Sequence, residues 1–296
     1  MWSCVKISEG CQHCYAERLN ERRSGPPYAV GKDTLRLDEA ILTQPLRWKR
    51  SRRIFVCSMT DLFEDRVDEK WLYAVFDVMA QAQQHTFQVL SKRAERMAEF
   101  CSRLRFIRTE ELSHLKAPGV SLSPERRGPP VHLPNVWLGT SVENQARADE
   151  RIPWLLKTPA AIRFLSVEPL LQQIDLSRWL PIAPRGDRWE RVKCEAAYGE
   201  QRPRIAWVIV GGESGGLPER ALVRRLDYAK DTGAGTVTAY RRYLPKEDRL
   251  EWVRALRDQC VAAEVPFFFK QWGGPRPTSG GAFVDGKIWH QFPDGL

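Results

Sequence analysis

The chain has 296 residues, of which 43% are hydrophobic and 28% charged, enough to bury a substantial core. It contains no run of about 18 apolar residues, which excludes a transmembrane helix, and no signal pattern opens it, so we expect a cytoplasmic protein. The net charge of +9 suits a polyanionic partner such as nucleic acid, although a general richness in arginine explains it equally well.

Six short apolar runs predict buried strands. Runs with few charges and no alternation are typical of strands covered on both faces of a parallel sheet. In chain order they are residues 54–57, 87–90, 136–139, 162–165, 207–210 and 266–269.

Helical patterns lie between these runs. Asp68 is suited to cap one helix, and Pro245 is suited to the first turn of another. The faces these helices would bury are Leu72, Val75, Phe76 and Met79 in the first and Leu250, Val253, Leu256 and Cys260 in the second. Because strands and helices alternate, the sequence predicts an α/β fold, a partial or complete (β/α) barrel that spans 1–296 as a single domain.

Three stretches rich in proline, glycine or charge interrupt this rhythm, at about 108–134, 180–205 and 216–244. We expect surface insertions there. The third stretch follows a Gly-Gly-Glu strand exit, so it is either a lid over a site or a solvated loop.

Polar side chains follow the predicted strands directly. The candidates for cofactor or substrate contacts at these exits are Ser58, Asp61, Ser91, Lys92, Ser141, Glu143, Ser166 and Glu168. Because the carboxyl ends of parallel strands meet at one face of a barrel, we expect a site there. The alternative is that the serines cap the following helices, which would leave the glutamates and basic residues unexplained.

Three of the seven cysteines lie within the first fourteen residues, and an odd total argues against a disulfide framework. Cys4, Cys11 and Cys14 form the pattern C-x6-C-x2-C. Three thiolates suit a 4Fe–4S cluster with one open iron, or a zinc site that recruits a further ligand such as His13. Free thiols are the third alternative. Cys57, like the remaining three, stands alone in the sequence and is expected to be a bystander.

This cysteine loop, followed by an α/β barrel with Ser and Glu strand exits, resembles the radical S-adenosylmethionine superfamily. More closely, the chain resembles a phage and prophage family of unknown function, and it is distantly similar to the spore photoproduct lyases, which repair DNA. The resemblance covers most of the chain outside the insertions. It is carried by residues 10–17 (GCQHCYAE), 53–63 (RIFVCSMTDLF), 85–93 (HTFQVLSKR), 137–144 (WLGTSVEN), 164–170 (FLSVEPL), 208–215 (VIVGGESG) and 267–273 (FFFKQWG).

The resemblance implies that the three cysteines hold a 4Fe–4S cluster whose open iron binds S-adenosylmethionine. It places Ser58 and Asp61 near the methionine amino group, and Ser141 and Glu143 near the ribose. Two features depart from the superfamily: the first cysteine gap has six residues instead of three, and Gly-Gly-Glu follows a late strand. The cofactor role of the superfamily's Gly-Gly-Glu motif is therefore not transferred to Glu213.

The expected partners are a nucleotide or DNA substrate and an electron donor of the flavodoxin or ferredoxin type, without a membrane. Basic residues placed after strands are expected to meet phosphate: Lys92, Arg93, Arg96, Arg147 and Lys270. The resemblance leaves DNA modification, isomerisation and repair open. The alternative function is a zinc- or cluster-stabilised nucleic-acid-binding phage accessory protein without radical catalysis.

Overall fold

The computed structural model describes residues 3–23, 35, 37–104, 106–107, 121–122, 133–181, 204–215, 217–231 and 237–293. The chain forms two compact units. The first unit comprises Met1–Ser141 and Asp149–Phe164, and the second unit comprises Val142–Ala148 and Leu165–Leu296. The organisation of 1–296 as a single domain stays a prediction.

The described residues contain a short 3-10 turn at Glu9–Cys11 and the following elements. The helices are α1 Tyr15–Arg22, α2 Glu39–Leu42, α3 Gln44–Arg47, α4 Glu69–Gln81, α5 Ala94–Arg103, α6 Gln145–Lys157 and α7 Glu247–Ala262. The strands are β1 Arg53–Val56, β2 Thr86–Ser91, β3 Phe106–Ile107, β4 Ser121–Leu122, β5 Val136–Ser141, β6 Ile162–Val167, β7 Trp207–Gly211, β8 Val223–Asp231, β9 Val237–Pro245, β10 Phe267–Gln271, β11 Phe283–Val284 and β12 Lys287–Ile288.

All six predicted strands are confirmed, and they form one parallel sheet in the order β1-β2-β5-β6-β7-β10. In the part of the chain that the structure describes, β1 and β10 are the edges of this sheet, so the barrel is partial and not complete. The strand β1 is less covered than predicted, since Phe55 is 46% exposed. Phe55 borders a cavity of the first unit, so other side chains do not cover it fully.

The helix predicted after Asp68 is confirmed in the first unit. The Asp68 carboxylate accepts a hydrogen bond from Lys70 N at 2.9 Å, and so caps α4. The predicted apolar face is buried, and its Phe76 ring packs 5.3 Å from the ring of Phe100 on α5. The first unit therefore has aromatic packing between α4 and α5.

In the second unit, α7 begins at Glu247 instead of Pro245, because Pro245 is the last residue of β9. Its predicted core positions Val253, Leu256 and Cys260 are buried.

The predicted insertions are only partly visible. Between 108 and 134 the structure describes β4, which pairs antiparallel with β3 at Phe106–Ile107, and residues 133 and 134. Residues 182–203 of the second insertion lie outside the described residues. The third insertion is not simply a loop. It contains an antiparallel ribbon of β8 and β9.

No described helix combines the length and the apolar character that crossing a membrane would require.

Candidate functional site

Three thiols from the amino-terminal segment line one cavity of the first unit. The cavity has a volume of about 150 Å³, and Cys4, Cys11 and Cys14 lie in its wall. The carboxyl ends of β1, β2 and β5 complete the wall with residues that include Cys57, Ser58, Asp61, Lys92, Arg93 and Ser141. Four of the predicted contacts thus share a cavity with the three predicted ligands. Their roles stay predictions.

The cysteine segment is tied to the end of β1 by hydrogen bonds. The hydroxyl of Tyr15, the first residue of α1, donates to the carbonyl oxygen of Ser58 at 2.6 Å. The hydroxyl of Thr60 donates to the carbonyl oxygen of Ser3. Contacts on both sides of the C-x6-C-x2-C pattern therefore hold it against the strand end.

Asp61 joins the ends of β1 and β2. Its Oδ1 accepts hydrogen bonds from Phe63 N at 3.0 Å and from Ser91 Oγ at 2.7 Å. Its Oδ2 accepts from Lys92 N at 2.9 Å and from Arg93 Nη1 at 3.3 Å. A carboxylate has about four lone-pair directions. Asp61, which is only 8% exposed, therefore holds the ends of β1 and β2 together through these hydrogen bonds, and we call this network the frame of the site. Ser91 lies behind Asp61 and is not part of the cavity wall.

Arg93 extends this frame to the first cysteine. Its side chain is 7% exposed, Nη2 donates to the carbonyl oxygen of Val5 at 3.2 Å, and Nη1 lies 4.0 Å from Cys4 Sγ. Burial alone would lower the pKa of Arg93, but Asp61 and Cys4 raise it above its usual value. Arg93 is thus a buried cation that links the strand end to the cysteine segment, and its contact with phosphate stays a prediction.

The Cys4 thiol is held in its protonated form. Burial and the carboxylate of Asp61 raise the pKa of Cys4 to about 11, against the lowering effect of Arg93. A thiol in this state releases its proton when it binds a metal. We therefore expect metal loading to be favoured at alkaline pH.

Cys57 is a fourth thiol in the same cavity. It follows β1 directly, adopts a left-handed backbone with φ of 57°, and burial raises its pKa to about 11. No local pattern predicts that Cys57 lies in this cavity, because it stands far along the chain from the other cysteines. The buried position of Cys101, by contrast, agrees with the bystander role predicted for it.

The described residues contain no three His, Cys, Asp or Glu side chains arranged to hold a single metal ion. Thiolates on one tetrahedral zinc would lie about 3.8 Å apart, given a Zn–S distance of about 2.3 Å. Cluster ligands bind different iron atoms and are therefore spaced more widely. The three thiols of this cavity are a donor set of the kind that a 4Fe–4S cluster with one open iron would use.

A larger cavity of the first unit, about 420 Å³, adjoins Lys92 and Arg93, which line both cavities. Its wall carries acidic as well as basic groups, among them Glu95, Glu150 and Arg151. The predicted phosphate contact Arg96 instead donates to the carbonyl oxygens of Phe63, Glu64 and Val67. Lys92 is therefore the basic side chain of this region best placed to meet a ligand.

The second unit holds the remaining candidates. Glu143 and Ser166 are buried, and Glu168 accepts hydrogen bonds from Lys270 Nζ at 3.0 and 3.2 Å. Lys270 is thus partly neutralised, which weakens the prediction that it meets phosphate.

Glu213 has a structural role in the same unit. It forms a two-pronged ion pair with Arg220, with both N–O distances at 2.9 Å. The late Gly-Gly-Glu therefore orders the segment that leads into β8, which agrees with leaving it out of the predicted cofactor contacts.

Fold and site together define an α/β protein with a partial barrel and a cavity lined by cysteine thiols. A family model described as "Protein of unknown function (DUF5131)" matches residues 1–225 and 245–293, and the chain belongs to this family. The phage setting of the family stays a prediction. No curated protein matches the chain.

Among solved structures, a mutant of spore photoproduct lyase has a similar fold, with a TM-score of 0.44 and 11% identity over 90% of this chain and 74% of that chain. A likeness of this degree determines neither function nor cofactor.

Proposed function

We propose that the cavity of the first unit holds a 4Fe–4S cluster and that the chain is a radical S-adenosylmethionine enzyme. The observation that carries the proposal is the meeting of Cys4, Cys11 and Cys14 in one cavity with the ends of three parallel strands. Active sites of parallel α/β barrels are built at this end of the strands. When bound, the cluster supplies the electron that cleaves S-adenosylmethionine, and with it hydrogen-abstraction chemistry.

The chain's own residues have separate tasks in this proposal. The three cysteines bind iron, and Asp61 with Arg93 positions the first of them. Ser58 and Lys92, which lie in the cavity wall, would bind the methionine end of the cofactor, and Ser141 would bind its ribose. Glu143, Ser166 and Glu168 remain candidate contacts of the second unit, and the catalytic residue is unassigned.

The proposed substrate is a nucleotide or a base in DNA, and the proposed reductant is a flavodoxin- or ferredoxin-type protein. The net charge of +9 supports a polyanionic substrate. Lys92, which borders both cavities, supports a contact to phosphate on the substrate side.

Anaerobic reconstitution with iron and sulfide tests the cluster. We expect about four iron atoms per chain in the wild type and broad absorbance near about 400 nm. Each of Cys4→Ala, Cys11→Ala and Cys14→Ala should lose both signals. The matched control is Cys101→Ala, because this thiol is buried in the core of the same unit and should leave the iron content unchanged. A wild type without iron, or a control that loses as much iron as the three variants, would contradict the proposal.

A second candidate function rests on Cys57. Four thiols in one cavity would also suit a closed metal site in a zinc- or cluster-stabilised nucleic-acid-binding protein without radical catalysis. Cys57→Ala separates the two candidates. If the Cys57→Ala variant retains its metal, three ligands and an open iron are supported. If the variant loses its metal and the wild type does not cleave S-adenosylmethionine, the closed site is supported.

A further inference from the structure

Most of the ribbon of β8 and β9 lies outside the part of the chain that matches the family. The two strands pair antiparallel over nine residues each, from Val223 opposite Pro245 to Asp231 opposite Val237. At about 3.3 Å per residue the ribbon is roughly 30 Å long. In the described residues it forms a sheet of its own, and the family model leaves 226–244 unmatched. The ribbon is therefore an addition to the family's common fold.

The base of the ribbon is anchored, whereas its outer part is exposed. Leu222 and Val223 are buried, and Lys246 N donates to the carbonyl oxygen of Leu222 at 2.9 Å. Lys246 Nζ also donates to the carbonyl oxygen of Pro218 at 2.7 Å. From Arg224 onward the β8 side chains that the structure describes are exposed. The fold thus anchors the root of the ribbon and leaves the described side chains of β8 beyond it exposed.

One face of the ribbon partly neutralises its own charge. Arg225 Nη2 lies 2.8 Å from Asp227 Oδ2, and Arg241 Nε lies 3.4 Å from Asp227 Oδ1. Hydrogen bonds from Arg225 and Arg241 hold the pKa of Asp227 below its usual value, so the carboxylate stays ionised. The cations of this face already have an anionic partner within the ribbon.

On the opposite face, the side chains that the structure describes include two cations and an aromatic ring and no acid. Side chains alternate along a strand, so 224, 226 and 228 share this face with 242 and 244. The residues at these positions are Arg224, Leu226, Tyr228, Arg242 and Leu244. Leu226 is 37% and Tyr228 39% exposed, and the guanidinium of Arg242 lies 6.0 Å from the centre of the Tyr228 ring. We call this the basic face.

We propose that the basic face of the β8–β9 ribbon binds double-stranded DNA. A two-stranded ribbon fits the major groove, which is about 12 Å wide. Arginines at 224 and 242 match the phosphates and guanine edges, and the leucine and tyrosine side chains suit apolar contact with thymine methyl groups. The choice of DNA as the polyanion rests on the proposed function, whereas the basic face stands on the ribbon alone.

Equilibrium binding to a fluorescent duplex of about 25 base pairs, measured at several salt concentrations, tests the proposal. The variant Arg224→Gln/Arg242→Gln removes two cations from the basic face. The matched control, Arg225→Gln/Arg241→Gln, removes the same charge from the face of the same strands on which both arginines pair with Asp227.

We expect the first variant to weaken binding by about 10- to 100-fold near 0.1 M salt and to reduce the salt slope by about two, since each lost phosphate contact contributes about 0.9. The control should weaken binding by less than about threefold, because its arginines release few counterions while they are paired with Asp227. Equal losses in both variants, or no loss in the first, would overturn the proposal. A preference for single-stranded DNA or RNA over the duplex would overturn it as well.

A third variant, in which 226–242 is replaced by Asn-Gly, removes the outer ribbon but keeps Arg225 opposite Tyr243 for a two-residue turn. It should lose DNA binding like the first variant and retain its iron content. If the wild type binds no iron while these binding results hold, the proposed function fails and the ribbon proposal stands. If iron and cofactor cleavage are present without duplex binding, the ribbon proposal alone fails.

Discussion

Asp61→Asn tests the frame that joins the cysteine segment to the strand ends. The carboxylate accepts four hydrogen bonds, whereas the amide oxygen of asparagine can keep two and its NH₂ group then faces donors. Each lost hydrogen bond to a charged acceptor costs about 1.5–3 kcal/mol, and Arg93 is left buried beside a neutral group. Breaking a buried ion pair costs about 3–5 kcal/mol, and we expect a loss of this size in the free energy of unfolding.

Urea unfolding of the metal-free protein, followed by tryptophan fluorescence and by circular dichroism, measures this loss. Asp65→Asn is the matched control, because Asp65 Oδ1 lies 3.6 Å from Nε of the same arginine but its side chain is 77% exposed. An exposed pair of this kind contributes less than about 1 kcal/mol. The reasoning is refuted if Asp61→Asn costs less than 1 kcal/mol, or if the two variants cost the same.

Gly212→Ala should destabilise the second unit by about 3 kcal/mol or more. The new Cβ would lie 2.1 Å from the carbonyl oxygen of Trp272, and a backbone atom cannot rotate away as a side chain can. Thermal unfolding measures this loss of stability. Glu213→Gln should lower the same unfolding midpoint, since it leaves a half-buried arginine without its anion. Asp285 has a pKa lowered to about 2 by hydrogen bonds from Arg254 and Arg257, so its contribution to stability is fully present above about pH 4 and is lost as the pH falls through 2. The stability difference between wild type and Asp285→Asn should therefore shrink between pH 5 and pH 2, and a difference that grows on acidification would show the sign to be wrong.

The strands of the sheet could be predicted because burial leaves a direct mark on the sequence. Runs such as 207–210 are apolar throughout, since both faces of a central parallel strand are covered. The β8–β9 ribbon could not be predicted in this way. The side chains described at 224–228 and 241–242 are exposed on both faces, so neither a continuous apolar run nor a clean alternation of apolar and polar residues marks the ribbon.

The sequence predicts only those parts of the site that depend on residues close together in the chain. The three cysteines lie close together in the sequence, and their sharing of one cavity follows from their spacing. The position of Cys57 in the cavity wall and the burial of the Arg93 side chain depend on contacts with residues far along the chain. Arg93 meets Asp61 across 32 residues, and a basic residue after a strand gives no local sign of whether it faces ligand or protein.

The central claim is that the cysteine-lined cavity supports cleavage of S-adenosylmethionine. The most direct measurement is the anaerobic formation of 5′-deoxyadenosine and methionine by the reconstituted protein with a chemical reductant. We predict that the wild type forms both products in equal amounts and that Cys14→Ala forms neither. A wild type that holds its full complement of iron and sulfide but forms no 5′-deoxyadenosine would contradict the account, as would a Cys14→Ala variant that forms as much as the wild type.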